Sequence, residues 1–345
     1  MTIVLQPFDG PISSSTYLPA DPAKVLWGRL PCATDEAVLT VDDGTQVTID
    51  TISHEGILED QGRDPRRFFE GHPVLDDAVE LAASSYDRAD GGPHVVTGPI
   101  FVEGARPGDL LRMRVVETLQ RVPYGVISNR HGRGALPEEY PASGETVSVF
   151  AESDGEWGSL PTAGRPVRFK LNPFLGIMGV AVAGSERPHS VPPGPHGGNI
   201  DVNLLTVGSS LYLPVQVDGA LAYVGDPHFA QGDGEVALTA MEASLRATIG
   251  FDVIPAVEAI EQFGELAGPL AETAEFLIPT GMNADLDIAM QDCVRAAIAL
   301  LQSRWGVDAA HAYAYLSAAT DFNISQVVDL VKGVHARVRK SDFEF

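Results

Sequence analysis

Short runs in which apolar and polar residues alternate, each closed by glycine, proline or aspartate, fill most of the chain before residue 283. Alternation with a period of two is typical of half-buried strands, and Gly, Pro and Asp mark the turns between them. The pattern predicts strands at 37–41, 46–52, 110–117, 145–150, 166–171, 177–182, 202–208, 210–217 and 220–225. We therefore expect a mainly β chain with barrel or sandwich units.

Apolar residues at helical spacing are confined to fewer segments. Segment 74–87 follows a proline and runs into a Gly-Gly-Pro sequence, which predicts a helix with a defined start and stop. The clearest helix spans 283–305, because Asn283 can cap it, its apolar residues form one face and Gly306 follows it. A second helix is predicted over 308–319.

Two further segments carry mixed signals. Residues 235–253 have a helix-forming composition, but apolar and polar residues alternate in their second half, which favours a strand there. The apolar run 327–338 predicts a short helix that turns into a strand. The fold class that these elements indicate is α+β, mainly β with a helical C-terminal portion.

At 345 residues the chain is longer than one ordinary domain. We expect an N-terminal β-rich unit with one helix over 1–120 and a central β unit over 166–282, which carries the main polar motif. Between them lies an excursion over 121–165, rich in Gly, Pro and Glu. Residues 283–345 are expected to form a helical C-terminal portion packed on the β units.

The chain is strongly acidic, with 23 Lys and Arg against 47 Asp and Glu, a net charge of −24. Nucleic acids and anionic membranes demand a basic surface, so neither is an expected partner. An anionic substrate is disfavoured as well, unless a metal or a local arginine offsets the field. A neutral substrate fits more easily, although solubility alone explains the charge equally well.

Targeting and redox signals are few. No apolar run has the length of a membrane helix, and the N-terminus lacks the basic and apolar regions of a signal peptide, so a cytoplasmic location is expected. Cys32 and Cys293 form neither a disulfide framework nor a cysteine-rich zinc site. Any metal must therefore be held by histidines and carboxylates.

The stretch 195–235 carries most of the candidate chemistry. It begins PHGGNID and ends GDPHFAQGDGE, with glycine or proline beside most of its polar residues. Glycine lets the backbone approach a ligand closely. His, Asp and Glu are the usual ligands of catalytic metals and the usual proton carriers. The stretch therefore has the composition of a functional site.

Two residues of this stretch have the pattern of metal ligands. His228 follows Asp226 and precedes a polar turn; it is either a ligand whose tautomer a carboxylate fixes, or a surface histidine. Asp201 stands at the mouth of an apolar run, where a carboxylate can bind a metal or orient a water. Its alternative role is to satisfy backbone N–H groups in a turn.

The catalytic candidates are Glu235 and His196. A glutamate beside a metal-bound water can take its proton and pass it to a leaving nitrogen, whereas the alternative is a solvated strand-end glutamate. For His196, a metal ligand, a proton donor and an ordinary loop histidine all remain open. His196 and Asn199 are candidates for binding a developing oxyanion.

Upstream, Asp50, His54 and Glu55 stand at the end of a predicted strand, and His94 opens another. Alternation places Asp50 and His54 on one face if the strand continues. Together with the central stretch, this makes three His/carboxylate clusters at strand ends, which we expect to converge on one metal. Because serine-hydrolase, Walker, dinucleotide and His-Glu-x-x-His motifs are all missing from the sequence, a metal-activated water is the simplest route to hydrolysis.

Three segments resemble the acetamidase/formamidase family: GGNID…LYLPVQVDGALAYVGDPHFAQGDGEV, HVVTGPIFVEGARPGDLLRMRV and AYAYLSAATDFNISQVVDLVKGVHARV. The resemblance covers most of residues 94–340. It implies a β-rich fold with a helical C-terminal portion, zinc-type metal dependence, assembly into a dimer or tetramer, and hydrolysis of short amides to carboxylate and ammonia. It also favours a strand in 235–253.

Carried over by position, the resemblance places six residues on the central motif of the family: Asp201, Asp226, His228, Gln231, Asp233 and Glu235. His94 falls on a His-x-x-Thr-Gly-Pro-like position, and Asp50 falls on an acidic strand end. The chain departs from the family pattern at 53–61 and in the excursion. Both departures are candidates for lining the pocket, so a lactam or a larger amide stays open as the substrate.

The preferred hypothesis is a metal-dependent hydrolase of a small neutral carboxamide. Zn²⁺ would be held by Asp50, His94, Asp201 and His228. Glu235 and His196 would be catalytic, and the substrate-binding or supporting residues would be His54, Glu55, Asn199, Asp226, Gln231 and Asp233. The alternatives are a non-catalytic small-molecule binding protein on the same scaffold and a structural Ca²⁺ site in the Asp-rich turns.

Overall fold

The computed structural model describes residues 4–88 and 90–343. The strands, in chain order, are β1 Thr16–Leu18, β2 Leu26–Trp27, β3 Leu39–Val41, β4 Gln46–Asp50, β5 Val95–Val102, β6 Leu110–Gln120, β7 Tyr124–Arg130, β8 Thr146–Ser153, β9 Trp157–Leu160, β10 Val167–Lys170, β11 Phe174–Gly179, β12 Gly197–Asn199, β13 Ser210–Pro214, β14 Ala222–Ala230, β15 Met241–Glu242, β16 Leu245–Ile254, β17 Leu270–Glu272, β18 Phe276–Asn283, β19 Asp321–Gln326 and β20 Lys332–Arg339.

Helices are fewer and concentrate near the C-terminus. They are α1 Pro65–Phe68, α2 Asp76–Ala83, α3 Ala256–Phe263, α4 Leu286–Trp305 and α5 Ala309–Ala319, with short 3₁₀ helices at Glu59–Gln61 and Lys340–Asp342. The predicted fold class, mainly β with a helical C-terminal portion, is confirmed. In the part of the chain that the structure describes, no helix combines the length and apolarity needed to cross a membrane.

The strands form two large sheets. Among the described residues, one sheet has the order β1-β4-β16-β6-β13-β17-β18-β20-β19, and the other has the order β10-β9-β8-β7-β15-β14-β11-β12, with β5 joining it at β14. The excursion contributes β7, β8 and β9 to the second sheet. Each sheet combines strands from distant parts of the chain, and the division at 120, 165 and 282 stays a prediction. The outer predicted units include residues 1–3, 89, 344 and 345, which lie outside the described residues.

One predicted strand was wrong. Residues 202–208 form turns, because the backbone there bonds to itself: the Leu205 N–H donates to the Val202 carbonyl at 3.0 Å, and the Ser209 N–H donates to the Thr206 carbonyl at 3.0 Å. The alternation in 235–253 correctly indicated strand, which appears as β15 and β16.

Helix boundaries also required correction. Helix α4 begins at Leu286 rather than 283, and its cap is Asp285, whose side chain accepts from the Asp287 and Ile288 N–H groups. Gly306 ends α4 with φ 65°, as expected. Helix α2 is shorter than the predicted 74–87.

The short helix predicted at the start of 327–338 is wrong. The Gln326 side chain accepts from the N–H groups of Val328 at 2.9 Å and Asp329 at 3.1 Å. These bonds hold the backbone in a loop, which then enters the predicted strand as β20. Strand β19, immediately before this loop, was not predicted.

Candidate metal and catalytic site

Strand β14 is the centre of a buried polar cluster. It lies between β5, β11 and β15, and Asp226 and His228, two residues apart, belong to the same face by alternation. Gly176 of β11 stands opposite Asp226. A Cβ atom at Gly176 would lie 2.8 Å from Asp226 Oδ2 and 2.7 Å from His228 Cε1, and closer still to Asp201 Oδ1. Only a glycine leaves room for the three side chains to meet.

Neighbouring segments bring further ligand atoms to Asp226. His54, beyond the end of β4, places Nδ1 3.4 Å from Asp226 Oδ1. His94, just before β5, places Nε2 3.8 Å from Asp226 Oδ2. On the other side, His228 Nε2 lies 3.2 Å from Asp226 Oδ2 and 3.1 Å from Glu242 Oε1. Asp226 therefore belongs to two adjoining ligand groups, His54/His94/Asp226 and Asp226/His228/Glu242.

A third group contains Asp201, His228 and Glu235. His228 Nδ1 lies 3.9 Å from Asp201 Oδ1. Asp201, Asp226 and Glu235 have φ values of 45°, 49° and 47°, in the left-handed region that is costly for residues other than glycine. Such strain is typical of positions that the surrounding structure fixes for function.

The residues present fit a divalent cation. Several ligand atoms are buried without a hydrogen-bond partner among the described residues: His54 Nδ1, His228 Nε2, Asp226 Oδ1, Glu242 Oε2, both Asp201 oxygens and Asp329 Oδ2. Leaving such atoms unpaired in the interior is costly. Imidazole nitrogens combined with carboxylate oxygens suit Zn²⁺, whereas calcium prefers oxygen ligands alone.

Hydrogen bonds select the histidine tautomers that a metal requires. The Gln231 amide donates to the Asp201 and Ser325 carbonyls, so its Oε1 faces His228 Nδ1 at 3.1 Å and accepts a hydrogen bond from the Nδ1–H group. That leaves His228 Nε2 as the ligand atom. His94 contacts Ser190 Oγ through Nδ1 at 3.1 Å, which leaves its Nε2 toward Asp226.

Glu55 supports His54 in the same way. Its carboxylate lies 3.4 Å from His54 Nε2, and it is itself held by Ser128, Gln61 and Arg130. Burial favours the neutral carboxyl, but His54 and Arg130 lower the pKa of Glu55 to about 2. Glu55 is thus an ionised group that orients the His54 ring.

The pKa shifts show excess negative charge at the centre of the cluster. Burial, followed by the nearby Asp201 carboxylate, holds the pKa of Glu235 well above its usual range. Burial and the Asp329 carboxylate do the same to the pKa of Asp201. Burial lowers the pKa of His94 to about 4, so His94 is neutral and able to ligate.

The cluster opens into a cavity of about 400 Å³, a volume typical of small-molecule sites. Its lining includes His54, His94, Asn199, Asp226, Glu235, Glu242 and Asp329. Among these, the buried Asn199 Oδ1 has no hydrogen-bond partner in the described structure. Polar groups able to bind an amide and to move a proton therefore line one cavity.

The structure does not bring Asp50 to this cluster. The Asp50 carboxylate is bound by Arg246, at 2.6 Å from Nε and 3.0 Å from Nη2, and by the Tyr17 hydroxyl at 2.5 Å. Arg121 Nη2 lies 3.6 Å away. Strand β4 ends at Asp50, so the alternation that would place Asp50 beside His54 is broken between them. Asp50 belongs to none of the three ligand groups.

Two other predicted residues have no part in the ligand groups, in the hydrogen bonds to their histidines or in the cavity lining. His196 is buried, and its Nε2 has no partner among the described residues, but it does not line the cavity. Asp233 is exposed and accepts from Asn203 at 2.9 Å and from Asn323 at 2.7 Å, so it ties loops together at the surface.

Sequence reasoning missed Glu242, Asp329 and Gly176. Glu242 pairs with His228 across β14 and β15; its signal was a single charged residue within the apolar run TAMEASL. Asp329 lies in the loop that was predicted to be helical. Its position beside Asp201 could therefore not be predicted from the sequence. Nothing in the local sequence distinguishes Gly176 from other strand glycines.

The sequence of this chain matches one protein family. The model of the acetamidase/formamidase family matches residues 88–187 and 182–338. A putative formamidase of Schizosaccharomyces pombe is 30% identical over 193 residues, and a formamidase of Methylophilus methylotrophus is 30% identical over 192 residues. Each alignment covers 41% of this chain and 47% of the relative, so the chain spans about half the length of the relatives it matches.

The fold has solved counterparts. The crystal structure of an acetamidase from Bacillus halodurans superposes with a TM-score of 0.76, covering 95% of this chain and 98% of the other at 24% identity. At that level of identity the superposition shows that the two proteins share a fold. It does not show that they share a substrate.

Proposed function

The chain belongs to the acetamidase/formamidase family, and on this premise we propose that it is a metal-dependent amidase, which hydrolyses non-peptide carboxamides to carboxylate and ammonia. The observation that carries the proposal is the pair of buried ligand groups that share Asp226, His54/His94/Asp226 and Asp226/His228/Glu242, several of whose ligand atoms lack other partners. The ligand set differs from the one expected from sequence: His54, Asp226 and Glu242 join it, whereas Asp50 and Asp201 do not belong to the two groups that share Asp226.

We propose Zn²⁺ as the ion, with Asp226 shared between the two adjoining groups. A cation held there would polarise the amide carbonyl and lower the pKa of a water molecule. The tautomer that Gln231 selects supports this role for His228, and the contact of Ser190 with Nδ1 leaves His94 Nε2 on the side of Asp226. Glu55 keeps the His54 ring oriented, as carboxylates commonly do for ligating histidines.

Glu235 is the proposed proton carrier. It is buried, lines the cavity and lies among the ligand groups. Its carboxylate would take the proton of the attacking water and deliver it to the nitrogen as the C–N bond breaks. Asn199 lines the same cavity, and its side-chain amide is the proposed donor to the substrate carbonyl. His196 is not among the residues that line the cavity, so it is not proposed for this step.

The family connection is the basis for the substrate class. The relatives named as formamidases and the acetamidase structure suggest short primary amides, and the volume of the cavity accommodates them easily. We also propose that the protein forms a homo-oligomer, on the basis of the family connection. A cytoplasmic location is proposed from the composition of the chain.

The test is an ammonia-release assay with formamide, acetamide and propionamide. Protein that has been stripped by a chelator should lose turnover, and added Zn²⁺ should restore it. Turnover that persists in protein shown by mass spectrometry to be metal-free would refute metal dependence. A metal-replete, folded protein that releases no ammonia from any amide would refute the amidase proposal itself.

A further inference from the structure

The cavity changes character between its buried end and its opening. The His/carboxylate cluster forms the buried end. Apolar side chains, including Leu58 and Leu238, line the space beyond it, and three arginines border it: Arg88, Arg130 and Arg133. Arg133 is solvent-exposed, which places the basic end at the opening.

Two of these arginines are already paired. Arg88 donates to Glu59, and Arg130 Nε donates to Asp60 Oδ2 at 2.7 Å. Arg133 differs: Arg88 and Arg130 form ion pairs with Glu59, Glu55 and Asp60, whereas none of the ion pairs found within residues 4–88 and 90–343 includes the Arg133 guanidinium. The cavity therefore has one basic group whose charge is not compensated by the chain.

The loop that carries Arg133 is fixed against the catalytic segment. It joins β7 to β8, and its Ala135 N–H donates to the Val236 carbonyl at 2.8 Å. At the end of β7, the Asn129 amide donates to the Ala237 carbonyl at 2.8 Å. Both acceptors follow Glu235 directly in the chain. These two hydrogen bonds therefore fix the position of the Arg133 loop relative to the segment that carries Glu235, the proposed proton carrier.

The Arg133 charge acts on the cavity itself. The pKa of His189, another lining residue, is lowered first by burial and then by the charges of Arg29 and Arg133. In a chain with a net charge of −24, a local positive potential of this kind is what an anionic group needs in order to approach.

Cavity size points in the same direction. A volume of about 400 Å³ lies in the range of pockets that hold molecules much larger than acetamide. A molecule that spans it would place an amide at the cluster, methylene groups along the apolar wall and its other end beside Arg133.

We infer that Arg133 binds a carboxylate at the far end of the substrate, so that the preferred substrates are monoamides of short dicarboxylic acids. This rests on the proposed amidase function and assigns its substrate class. The reaction stays balanced: a water oxygen forms the new C–O bond, the C–N bond breaks, and the nitrogen leaves with the transferred proton as ammonia, giving a dicarboxylate.

The experiment compares succinamate with succinamide, which have the same shape and differ in one negative charge. With metal-replete protein, we expect kcat/KM for succinamate to exceed that for succinamide by about tenfold, per scissile amide. Arg133→Gln should remove this preference by lowering kcat/KM for succinamate alone, and Arg133→Lys should retain part of it. Arg106→Gln, at another exposed arginine that does not line the cavity, is the matched control and should behave as wild type.

Binding of succinate, the product, gives a second readout that does not depend on turnover. Wild-type protein should bind it more tightly than Arg133→Gln by a similar factor. Equal kcat/KM values for the two substrates in wild type, or an equal loss for both in Arg133→Gln, would overturn the inference while leaving the amidase proposal intact. If metal-replete protein hydrolyses no amide at all, both the Arg133 inference and the amidase proposal are wrong.

Discussion

Two buried clusters of charged residues lie on either side of segment 50–54, and they are balanced in different ways. In the arginine network, Arg121 and Arg246 face Asp50 and Asp77, and Arg121 Nη2 lies 2.8 Å from Asp77 Oδ2. In the site cluster, three imidazoles face five buried carboxylates: His54, His94 and His228 against Asp201, Asp226, Glu235, Glu242 and Asp329.

The difference separates a structural role from a functional one. The arginine network balances two guanidinium groups with two carboxylates, and its remaining donors bind backbone carbonyls such as those of Leu5 and Thr51. It joins the N-terminal segment, β4 and β16 without needing any further ion. The site cluster keeps an excess of negative charge and unpaired ligand atoms, a condition that an added cation relieves.

The largest effect is expected from Glu235→Gln. Because the amide cannot carry a proton, kcat should fall by about 10³–10⁴-fold, or about 4–5.5 kcal/mol in activation free energy. The free energy of unfolding should not fall, since burial already disfavours the charged form of the Glu235 carboxyl group. Ammonia release and urea denaturation on the same samples measure both quantities. A variant that keeps wild-type turnover would exclude Glu235 as the proton carrier.

A carboxylate-to-amide substitution in the arginine network should lower stability and leave activity nearly unchanged, the reverse of Glu235→Gln. Asp50→Asn leaves the Arg246 guanidinium without its carboxylate and should destabilise the fold by about 3–5 kcal/mol, measured by urea denaturation. Specific activity and metal content of the folded protein should change little. Asp154→Asn, in the exposed pair with Arg168, is the control and should leave stability nearly unchanged. If folded Asp50→Asn loses its bound metal, the conclusion that Asp50 is not a metal ligand is contradicted.

Gly176→Ala tests how tightly the site cluster is packed. The new methyl group would push against the carboxylates and the His228 ring, so kcat/KM should fall by about 100-fold through misplacement of the site groups. Gly232, an exposed glycine with open space where its Cβ would lie, supplies the control Gly232→Ala, which should retain activity. If Gly176→Ala is fully active, the site is looser than the structure indicates.

The smallest effect concerns the pH dependence of the arginine network. Burial, and then the hydrogen bond to Asp50, raise the pKa of Tyr17 to about 12. A phenol whose folded pKa is raised contributes stability that is present below its ordinary pKa of about 10 and is lost as the pH rises towards 12. For this half-buried ring the loss should be about 1 kcal/mol.

Tyr17→Phe should remove that component, so the unfolding free energies of variant and wild type, measured from pH 9 to 12, should converge as the pH rises. Parallel curves would show that Tyr17 does not titrate with folding. The substitution leaves the metal cluster untouched, so activity at neutral pH should be retained in the variant.

Sequence pattern predicted the parts of the site that local geometry controls. The predicted strand 220–225 stopped one residue before Asp226, so the shared face of Asp226 and His228 was not predicted, but the glycine-rich turns indicated where Asp201 and Glu235 would be. The family resemblance supplied the chemistry. The glycine-rich turns lie within one 41-residue stretch between 195 and 235, whereas the resemblance covers most of residues 94–340.

The remainder depends on contacts between distant residues. Arg246 and Asp50 are 196 positions apart, and no local signal shows that this guanidinium, rather than a metal, neutralises the carboxylate. Glu242 reaches His228 only because β15 pairs with β14. Asp329 arrives from a loop that the Gln326 side chain shapes. Long-range pairing of this kind cannot be deduced from periodicity.

The central claim is that the cluster around Asp226 holds the metal on which amide hydrolysis depends. Its most direct test measures bound zinc and ammonia release from acetamide in the same samples of wild type and Asp226→Asn, with circular dichroism to confirm folding. We predict that wild type binds zinc and is active, and that the folded variant binds little zinc and is inactive. Folded Asp226→Asn that hydrolyses acetamide at the wild-type rate, with or without zinc, would contradict the account.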